Sequence, residues 1–404
     1  MRIAQINMLP YGSTGKIMFQ IAQTARKHGH SVKTFSTIPL DKDAVLFKAF
    51  PEEHFVFGSY LENKIHCYLG IALGRNGMYS HIGTAELIKQ LKQFNPDVVH
   101  LHNLHKFCVN LPMLFGYLKK SKVKVVWTLH DCWAFTGQCP HFTMVGCEKW
   151  KTGCHNCTQI DRYPKSLVDN TGYMYKLKKK WFTGIENMVI VTPSQWLADL
   201  VQQSFLNSYP VKVIHNGIDI GVFKPTISGF REKYDIPHDK KILLGVAFDW
   251  GIRKGLDVFC KLAKKLDAQK YTIVLVGTSD IIDKQLPENI ISIHKTHNQE
   301  ELAEVYSAAD LFVNPTREEN YPTVNMESIA CGTPVLTFRT GGSPEIPDEY
   351  SGSVVECEDI DALEKEIIRI CETVPYSESM CLERAKLFEA KRCFEEYAEL
   401  YSQL

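Results

Sequence analysis

The chain has 404 residues, which is more than one hydrophobic core usually serves and predicts two domains. Hydrophobic residues make up 45% of the sequence and charged residues 23%, proportions that exclude a disordered chain or a fibrous repeat. The 46 Lys and Arg residues balance the 46 Asp and Glu residues, so no overall positive field exists and no nucleic-acid partner is expected. The first residues are too polar for a signal peptide, and no run of about 18 apolar residues occurs, so a cytoplasmic protein is expected.

Strand-like and helix-like segments alternate through the first half of the chain. The predicted strands are 2–8, 31–37, 97–102, 124–130 and 188–192. The predicted helices are 16–28, 85–94 and 111–119. Repeated strand–helix–strand units are typical of α/β proteins with a parallel sheet and helices on both faces. We therefore interpret residues 1–192 as one doubly wound, Rossmann-like domain.

A second series of the same kind follows a turn at residues 216–217. Its predicted strands are 241–248, 271–276, 311–314 and 334–337, and its predicted helices are 255–266, 300–308 and 323–330. We interpret residues 193–375 as a second Rossmann-like domain, and residues 376–404 as terminal helices that pack back on the first. Ligands of open parallel sheets bind at the carboxyl ends of the strands, so a cleft between the two domains is the expected site.

The densest chemical motif is PTREENYPTVNMESIA, at residues 315–330. A polar loop leaves a strand at Pro315, and Pro322 precedes a helix that carries Glu327. Backbone N–H groups at such a helix start attract phosphate. Glu319 in the loop and Glu327 on the helix could accept hydrogen bonds from vicinal hydroxyls, such as those of a ribose and a sugar. Taken alone, the pair fits two solvated surface glutamates better.

Further motifs occur in an order that one enzyme family shares. Residues 12–15 form a glycine-containing loop after the first strand, VIHNGID at 213–219 leads into the second domain, and GGSPE at 341–345 follows a later strand. With Glu319 and Glu327 as an E-x7-E pair, nearly the whole chain resembles the retaining glycosyltransferases of family 4. The resemblance implies the GT-B fold, in which two Rossmann-like domains face each other across a cleft.

The resemblance also implies roles for the matching residues. Glu319 would be catalytic and act on the donor sugar, and Glu327 would bind the ribose of a nucleotide sugar. Lys254 would bind the diphosphate, whose charge a fixed cation can stabilise, so no catalytic metal is expected. The family arginine five residues before this lysine is replaced by Asp249, and Arg253 is the candidate substitute. The other candidate donor-binding residues are Gly15, Asn320, Tyr321, Pro322 and Thr323.

In the first domain, His130 ends a predicted strand and matches the active-site histidine of the family. It could hydrogen-bond the donor sugar or bring its carbonyl near the anomeric carbon. Asp131, His102 and Asn103 are candidates for the acceptor side. The resemblance implies a hexosyltransferase that uses a UDP- or GDP-type sugar and retains its anomeric configuration. The implied acceptor is a glycan or lipid-linked glycan in exopolysaccharide, capsule or O-antigen biosynthesis.

Cysteines are concentrated in one segment, because five of the 13 lie between residues 132 and 157. This cysteine-rich insertion resembles that of a polysaccharide-building branch of the family. The Cys154-x-x-Cys157 spacing suits a tetrahedral thiolate site, whereas disulfides are not expected in the cytoplasm. A structural zinc could order such a loop. The predicted ligands are Cys139, Cys147, Cys154 and Cys157, with free thiols in an aromatic-packed loop as the alternative.

Residues 175–182, YKLKKKWF, mix lysines with aromatic side chains as an interfacial helix does. The pattern predicts peripheral contact with the inner face of the cell membrane, where a lipid-linked acceptor would lie, although a solvated helix face also fits it. Two other functions fit the sequence. One is a nucleotide-sugar epimerase or hydrolase of the same fold. The other is a non-catalytic, zinc-stabilised protein that binds nucleotide sugars, which the missing arginine at Asp249 favours.

Overall fold

The computed structural model describes residues 1–39, 53–105 and 108–404. Contacts within the chain divide it into two compact units. The first unit comprises Met1–Ile214 and Phe394–Leu404, and the second comprises His215–Cys393. Each unit is built on one sheet whose described strand pairs are all parallel.

The first unit contains a seven-stranded sheet. Its strands are β1 (Arg2–Ile6), β2 (Ser31–Ser36), β3 (His54–Val56), β4 (Val98–Leu101), β5 (Lys124–Thr128), β6 (Met188–Thr192) and β7 (Val211–Val213). Their spatial order is β3-β2-β1-β4-β5-β6-β7. The strand order reverses where β1 lies beside β4, with Ile3 opposite Val98, and this is the point at which such sheets bind ligands.

Helices cover this sheet, so its central strands are buried on both faces and read as continuous apolar runs. The described helices are α1 (Gly12–Lys27), α2 (Tyr60–Leu73), α3 (His81–Phe94), α4 (Leu111–Ser121), α5 (Thr171–Phe182), α6 (Gln195–Gln202) and the last part of α14 (Ala390–Gln403). Between β5 and α5, residues 129–170 are all described, and their only helical pieces are two short 3₁₀ turns. We name residues 129–170 the insertion loop.

The second unit contains a six-stranded sheet in the order β10-β9-β8-β11-β12-β13. Its strands are β8 (Lys241–Val246), β9 (Tyr271–Val276), β10 (Ile290–Ile293), β11 (Leu311–Asn314), β12 (Val335–Phe338) and β13 (Gly352–Val355). Its helices are α7 (Phe230–Lys233), α8 (Leu256–Lys265), α9 (Asp280–Asp283), α10 (Gln299–Ala308), α11 (Thr323–Ala330), α12 (Ile360–Thr373) and α13 (Glu378–Ala385). The order reverses between β8 and β11, so the loops that follow these two strands emerge side by side.

The two predicted Rossmann-like domains are confirmed, but their boundaries lie elsewhere. The first sheet continues past residue 192, because β7 pairs with β6 and carries the first unit to Ile214. Of the predicted terminal helices, α13 packs on α11 within the second unit. Only Phe394–Leu404 joins the first unit, where the Tyr401 hydroxyl lies 2.6 Å from Nδ1 of His100.

Residues 175–182 belong to α5, and their aromatic side chains do not form an exposed face. Tyr175 and Phe182 are core residues, and Lys178 between them is fully buried. These three residues are three and four positions apart, the spacing that places side chains on one face of a helix. The prediction of an interfacial face here is therefore wrong. Among the described helices, none is both long and apolar enough to cross a membrane.

Candidate functional site

In the second unit, the loops after β8 and β11 bring Lys254 and Glu319 together. Lys254 ends a 3₁₀ turn, and Glu319 lies in the loop before α11. The ammonium and the carboxylate form an ion pair in which the two side chains are 19% and 18% exposed. A cation and a carboxylate that are largely shielded yet reachable from solvent can bind a phosphate and a hydroxyl at one place.

The backbone around Lys254 is packed directly on the loop after β11. Gly255 has a φ of +78°, and a Cβ atom there would lie 2.4 Å from the carbonyl oxygen of Pro315. The N–H of Arg317 donates to the carbonyl of Arg253 at 2.9 Å. The Arg253 guanidinium itself reaches the carbonyl of Glu318 at 3.4 Å, and it is half-buried. Whether Arg253 replaces the family arginine stays a prediction.

Arg317 holds this arrangement, although in the sequence it is only one charged residue in a polar loop. Its guanidinium forms a two-pronged ion pair with Asp257, at 2.6 and 2.9 Å, and contacts Glu358 at 3.0 Å. The side chain is 6% exposed, and it also donates to the carbonyl of Ile252. The hydrogen bonds that Arg317 donates to Glu358 and Asp257 raise its pKa above the usual value. Arg317 therefore holds the 3₁₀ turn that contains Lys254 against the first turn of α8.

Residues 341–345 hold the backbone of Glu319 from the other side. Gly341 has a φ of +56°, and a Cβ atom there would lie 1.8 Å from the carbonyl oxygen of Glu319. The N–H of Gly342 donates to the carbonyl of Asn320 at 2.8 Å. The predicted GGSPE motif is therefore a clamp on residues 319 and 320.

Three buried polar atoms in these loops and on α11 have no hydrogen-bond partner among the described residues. They are Thr340 Oγ1, Ser343 Oγ and Asn325 Nδ2. An unsatisfied buried polar atom costs about 1–3 kcal/mol, and bound water or a polar ligand removes that cost. These three atoms are therefore available to hydrogen-bond a water molecule or a ligand.

The other donor candidates surround the start of α11. Glu327 Oε2 accepts a hydrogen bond at 3.1 Å from the hydroxyl of Tyr306, which is fully buried. The ring of Tyr321 is buried and stacks on His215 with centroids 4.8 Å apart. Pro322 is the N-cap residue, and Thr323 begins the helix. Gly15 lies in the first unit instead, on α1, where a Cβ atom would lie 2.4 Å from the carbonyl carbon of Pro10.

In the first unit, three histidines stack at the carboxyl ends of β4 and β5. Ring centroids are 4.2 Å apart for His100 and His102 and 5.5 Å apart for His102 and His130. Nδ1 of His102 lies 3.2 Å from Nε2 of His130. Burial lowers the pKa of His100 to about 3 and that of His130 to about 4, so both rings are neutral at pH 7. His102 is 1% exposed, and its ring stacks on that of His130.

Asp131, near the start of the insertion loop, is held by a second network that also includes Tyr163 of the same loop. His105 Nε2 lies 2.9 Å from its carboxylate, and Nδ1 of the same ring lies 2.8 Å from the Tyr163 hydroxyl. Burial by itself would raise the pKa of Asp131, but His105 and the N–H of Trp133 bring it down to about 2. Asp131 is therefore a carboxylate at neutral pH. The backbone N–H of Asn103 donates nearby to Asn7 at 3.1 Å.

The predicted metal ligands lie within the insertion loop. Cys139, Cys147, Cys154 and Cys157 line one cavity, whereas Cys132 is buried in the hydrophobic core of the first unit. All thirteen cysteines belong to the described residues, and none is in a disulfide.

Two family models match the chain. The model described as "Glycosyltransferase Family 4" matches residues 15–222, and the model described as "Glycosyl transferases group 1" matches residues 227–386. The chain is also similar to WcaC of Escherichia coli K12, whose name describes a glycosyl transferase of colanic acid biosynthesis. The two are 26% identical over 323 residues, which cover 76% of this chain and 77% of that protein.

Solved structures share the fold. Sucrose-phosphate synthase from Thermosynechococcus elongatus aligns with 100% of this chain and 98% of its own, with a TM-score of 0.70 and 18% identity. Anabaena HepE in complex with UDP-glucose aligns over 100% of both chains, with a TM-score of 0.66 and 15% identity. These likenesses confirm the predicted GT-B fold class. Because the family 4 model covers more than half of the residues, the chain belongs to glycosyltransferase family 4, and the protein is a glycosyltransferase.

Proposed function

We propose that the protein transfers a hexose from a UDP-sugar to a growing bacterial-type polysaccharide and retains the anomeric configuration. The observation that carries this proposal is the Lys254–Glu319 pair, held in place by the close packing of Gly255 and Gly341. The name of WcaC supports a polysaccharide product, and the UDP-glucose complex of HepE supports the choice of uridine as the base.

The donor is assigned to the second unit. Lys254 exchanges its contact with Glu319 for the diphosphate, and the released carboxylate accepts hydrogen bonds from hydroxyls of the donor sugar. Glu327 accepts the ribose hydroxyls, and its hydrogen bond with the buried Tyr306 fixes the direction of its carboxylate. The buried hydroxyls of Thr340 and Ser343 supply further hydrogen bonds to the ligand.

The proposed reaction breaks the bond between the anomeric carbon and the diphosphate oxygen. The acceptor oxygen forms its bond to the same face of the sugar, and its proton passes to an oxygen of the departing diphosphate. Lys254 stabilises the negative charge that develops on this leaving group. In the first unit, neutral His130 hydrogen-bonds the donor sugar, and Asp131, a carboxylate at pH 7, orients the acceptor hydroxyl.

A lipid-linked acceptor calls for a membrane-facing surface, and α2 offers one in place of residues 175–182. Leu61, Ile65 and Tyr68 are 68%, 48% and 76% exposed on this helix. The exposed Lys64 lies over the ring of Tyr60, with its Nζ 4.7 Å from the centroid. Exposed apolar side chains next to a cation are typical of surfaces that contact anionic lipid. We propose that α2 docks on such a membrane.

Vesicle sedimentation tests this docking. The wild-type protein is expected to sediment with vesicles that contain phosphatidylglycerol and to bind pure phosphatidylcholine less. The double variant Leu61→Ser, Tyr68→Ser should lose vesicle binding and keep its activity on a water-soluble acceptor. Ile227→Ser is the matched control, because Ile227 is equally apolar and fully exposed in the second unit. Equal vesicle binding by both variants would contradict docking through α2.

The transfer itself is tested by donor screening followed by product analysis. Thermal unfolding is measured with UDP-, GDP- and ADP-sugars, since a ligand at 100 times its Kd adds about 2.7 kcal/mol of stability. We expect the largest shift from a UDP-sugar. The anomeric proton coupling of the glycoside made from an α-linked donor should then show an α-linkage. A β-linked product would overturn retention, and a preference for a GDP-sugar would overturn the assigned base.

A further inference from the structure

The insertion loop is organised around four cysteines rather than around secondary structure. Between β5 and α5 the chain forms two 3₁₀ turns, Trp133–Phe135 and Lys149–Lys151, and otherwise irregular backbone. The rings of Phe142 and Trp150 stack with their centroids 4.9 Å apart. The same two rings line a cavity together with Cys139, Cys147, Cys154 and Cys157.

Glycines let the backbone pack closely around Cys154. The N–H of Gly137 donates to its sulfur at 3.2 Å, and a Cβ atom on Gly137 would lie 2.9 Å from Cβ of Cys154. A Cβ atom on Gly172, in the first turn of α5, would lie 2.8 Å from the carbonyl oxygen of Cys154. Burial raises the pKa of the Cys157 thiol, and the backbone N–H of Gln159 opposes this rise. Amide donors aimed at sulfur are what a thiolate ligand needs, because charge-assisted hydrogen bonds are the strong ones.

A buried lysine lies beside this cluster. Lys178 is fully buried on α5, and its Nζ donates to the carbonyl of Thr136 at 2.7 Å and to that of Trp133. Its Nζ lies 3.7 Å from the centroid of the Trp133 ring. Burial lowers the pKa of Lys178, and the neighbouring Cys154, Cys139 and Asp131 oppose this shift. An ammonium buried at this position is costly unless negative charge lies close by, and thiolates at Cys139 and Cys154 would supply such charge.

We propose that Cys139, Cys147, Cys154 and Cys157 bind one structural Zn²⁺ and that Lys178 offsets the charge of the site. Four thiolates around one Zn²⁺ carry a net charge of about −2, which a buried ammonium partly neutralises. Cys132 is excluded from the site because it is 1% exposed and does not line the cavity.

Zinc draws the four sulfurs together. At a Zn–S distance of about 2.3 Å, the sulfurs of a tetrahedral site lie about 3.8 Å apart. No three of these four described sulfurs all lie within 4.8 Å of one another, so binding requires the side chains to turn into the cavity. The ion then fixes the loop that carries Tyr163, whose hydroxyl holds His105 against Asp131. Zinc thereby positions Asp131, the residue proposed to orient the acceptor, without contacting the reactants.

Metal analysis of the whole chain tests the proposal independently of any transfer activity. Protein purified without added metal is expected to contain about one zinc per chain. Cys154→Ser and Cys147→Ser should each lower this below about a tenth. Cys67→Ser is the matched control, since Cys67 is half-buried in the first unit but lies on α2, and it should keep its full zinc content.

Two further measurements protect the test against variants that fail to fold. Cobalt(II) exchanged into the wild-type protein should give the intense visible bands of a tetrahedral thiolate site. Lys178→Met keeps the four ligands, but its zinc affinity should fall about 10- to 100-fold, as it does when a supporting contact of a metal site is lost. Competition with a chelator measures this affinity. The proposal fails if the wild-type protein holds no zinc, if zinc persists in Cys154→Ser, or if thiol titration shows the four cysteines paired as disulfides.

Discussion

Lys254 and Glu319 form an ion pair although 65 residues separate them in the sequence. The contact joins the loops after β8 and β11, the two neighbouring strands at which the order of the second sheet reverses. Neither side chain is fully buried, so the pair is a poor source of stability and a good candidate for exchange with a ligand. The first two expectations below follow from that exchange.

Glu319→Gln should slow transfer strongly while nucleotide binding is kept. Removal of the carboxylate frees Lys254 from a competing anion, so UDP should bind equally well or more tightly. The turnover number should fall about 10²- to 10³-fold, as when one polar group that acts on the transition state is lost. Calorimetry of UDP binding and initial rates check the two effects. Glu349→Gln, an exposed glutamate of the same unit, is the control, and unchanged turnover in Glu319→Gln would contradict the role.

Lys254→Met should weaken UDP binding, in contrast to Glu319→Gln. A charge-assisted hydrogen bond contributes roughly 1.5–3 kcal/mol, so UDP affinity should fall about 10- to 100-fold. The affinity of the wild-type protein should also weaken as salt is raised, and this dependence should be smaller in the variant. Lys261→Met removes a more exposed lysine from α8 and should leave binding unchanged. Equal affinities for the two variants would rule out Lys254 as the diphosphate ligand.

Gly341→Ala tests the clamp on Glu319. The left-handed backbone alone costs about 1–2 kcal/mol for a residue with a Cβ atom. Gly29→Ala measures that cost by itself, because Gly29 has a φ of +76° and its Cβ atom would meet nothing within 4 Å. Gly341→Ala must also push away the carbonyl of Glu319, so it should destabilise the protein further and reduce transfer. Equal unfolding free energies for the two variants would show that the clamp is not needed.

Arg317→Met should destabilise the second unit in a pH-dependent way. Hydrogen bonds from Arg317 lower the pKa of Asp257 and of Glu358. A carboxyl group whose pKa is lower in the folded protein than in the unfolded chain stabilises the fold at pH values above its unfolded pKa, which is near 4. This stabilisation is lost as the pH falls through the pKa of the folded state. The variant should therefore unfold about 1–3 kcal/mol more easily at neutral pH, since both carboxylates are partly exposed. Urea unfolding should show this difference shrinking below about pH 4, and a constant difference would contradict it.

The histidine stack should make the first unit sensitive to acid. Burial lowers the pKa of His100 to about 3 and of His130 to about 4, so the unfolded chain binds more protons than the folded one between those values and about 6.5. Stability from the neutral rings is complete above about pH 6.5 and is lost as the pH falls. His100→Asn should flatten this dependence, whereas His238→Asn, which changes an exposed histidine, should not. Identical pH dependence in both variants would contradict the account.

The sequence predicted residues whose chemistry is local and missed those whose role depends on distant partners. Glu319, Glu327 and Lys254 stand in recognisable motifs after strands. Arg317 looks like an ordinary loop charge until the fold brings Asp257 and Glu358 to it, from 60 and 41 residues away. Tyr163 likewise reaches His105 across 58 residues. No local pattern encodes such separations.

Predictions for helices α2 and α5 were wrong because α2 exposes apolar side chains and α5 buries a charged one. Helix α2 was not predicted, because much of its apolar surface faces solvent and it lacks the usual division into a polar and an apolar face. In α5 the lysine-rich composition suggested a surface, but the spacing of Tyr175, Lys178 and Phe182 already placed all three on one buried face. The period of a pattern was more informative there than its charge.

Helix α14 starts in the second unit and continues into the first, where Tyr397 and Tyr401 contact the residues around His100. On the ribosome, β4 and β5 are therefore made long before the segment that covers their histidines. The first unit must wait, with this part of its interior uncovered, until the whole second unit has been synthesised. The order of synthesis thus differs from the order in which the two cores can be completed.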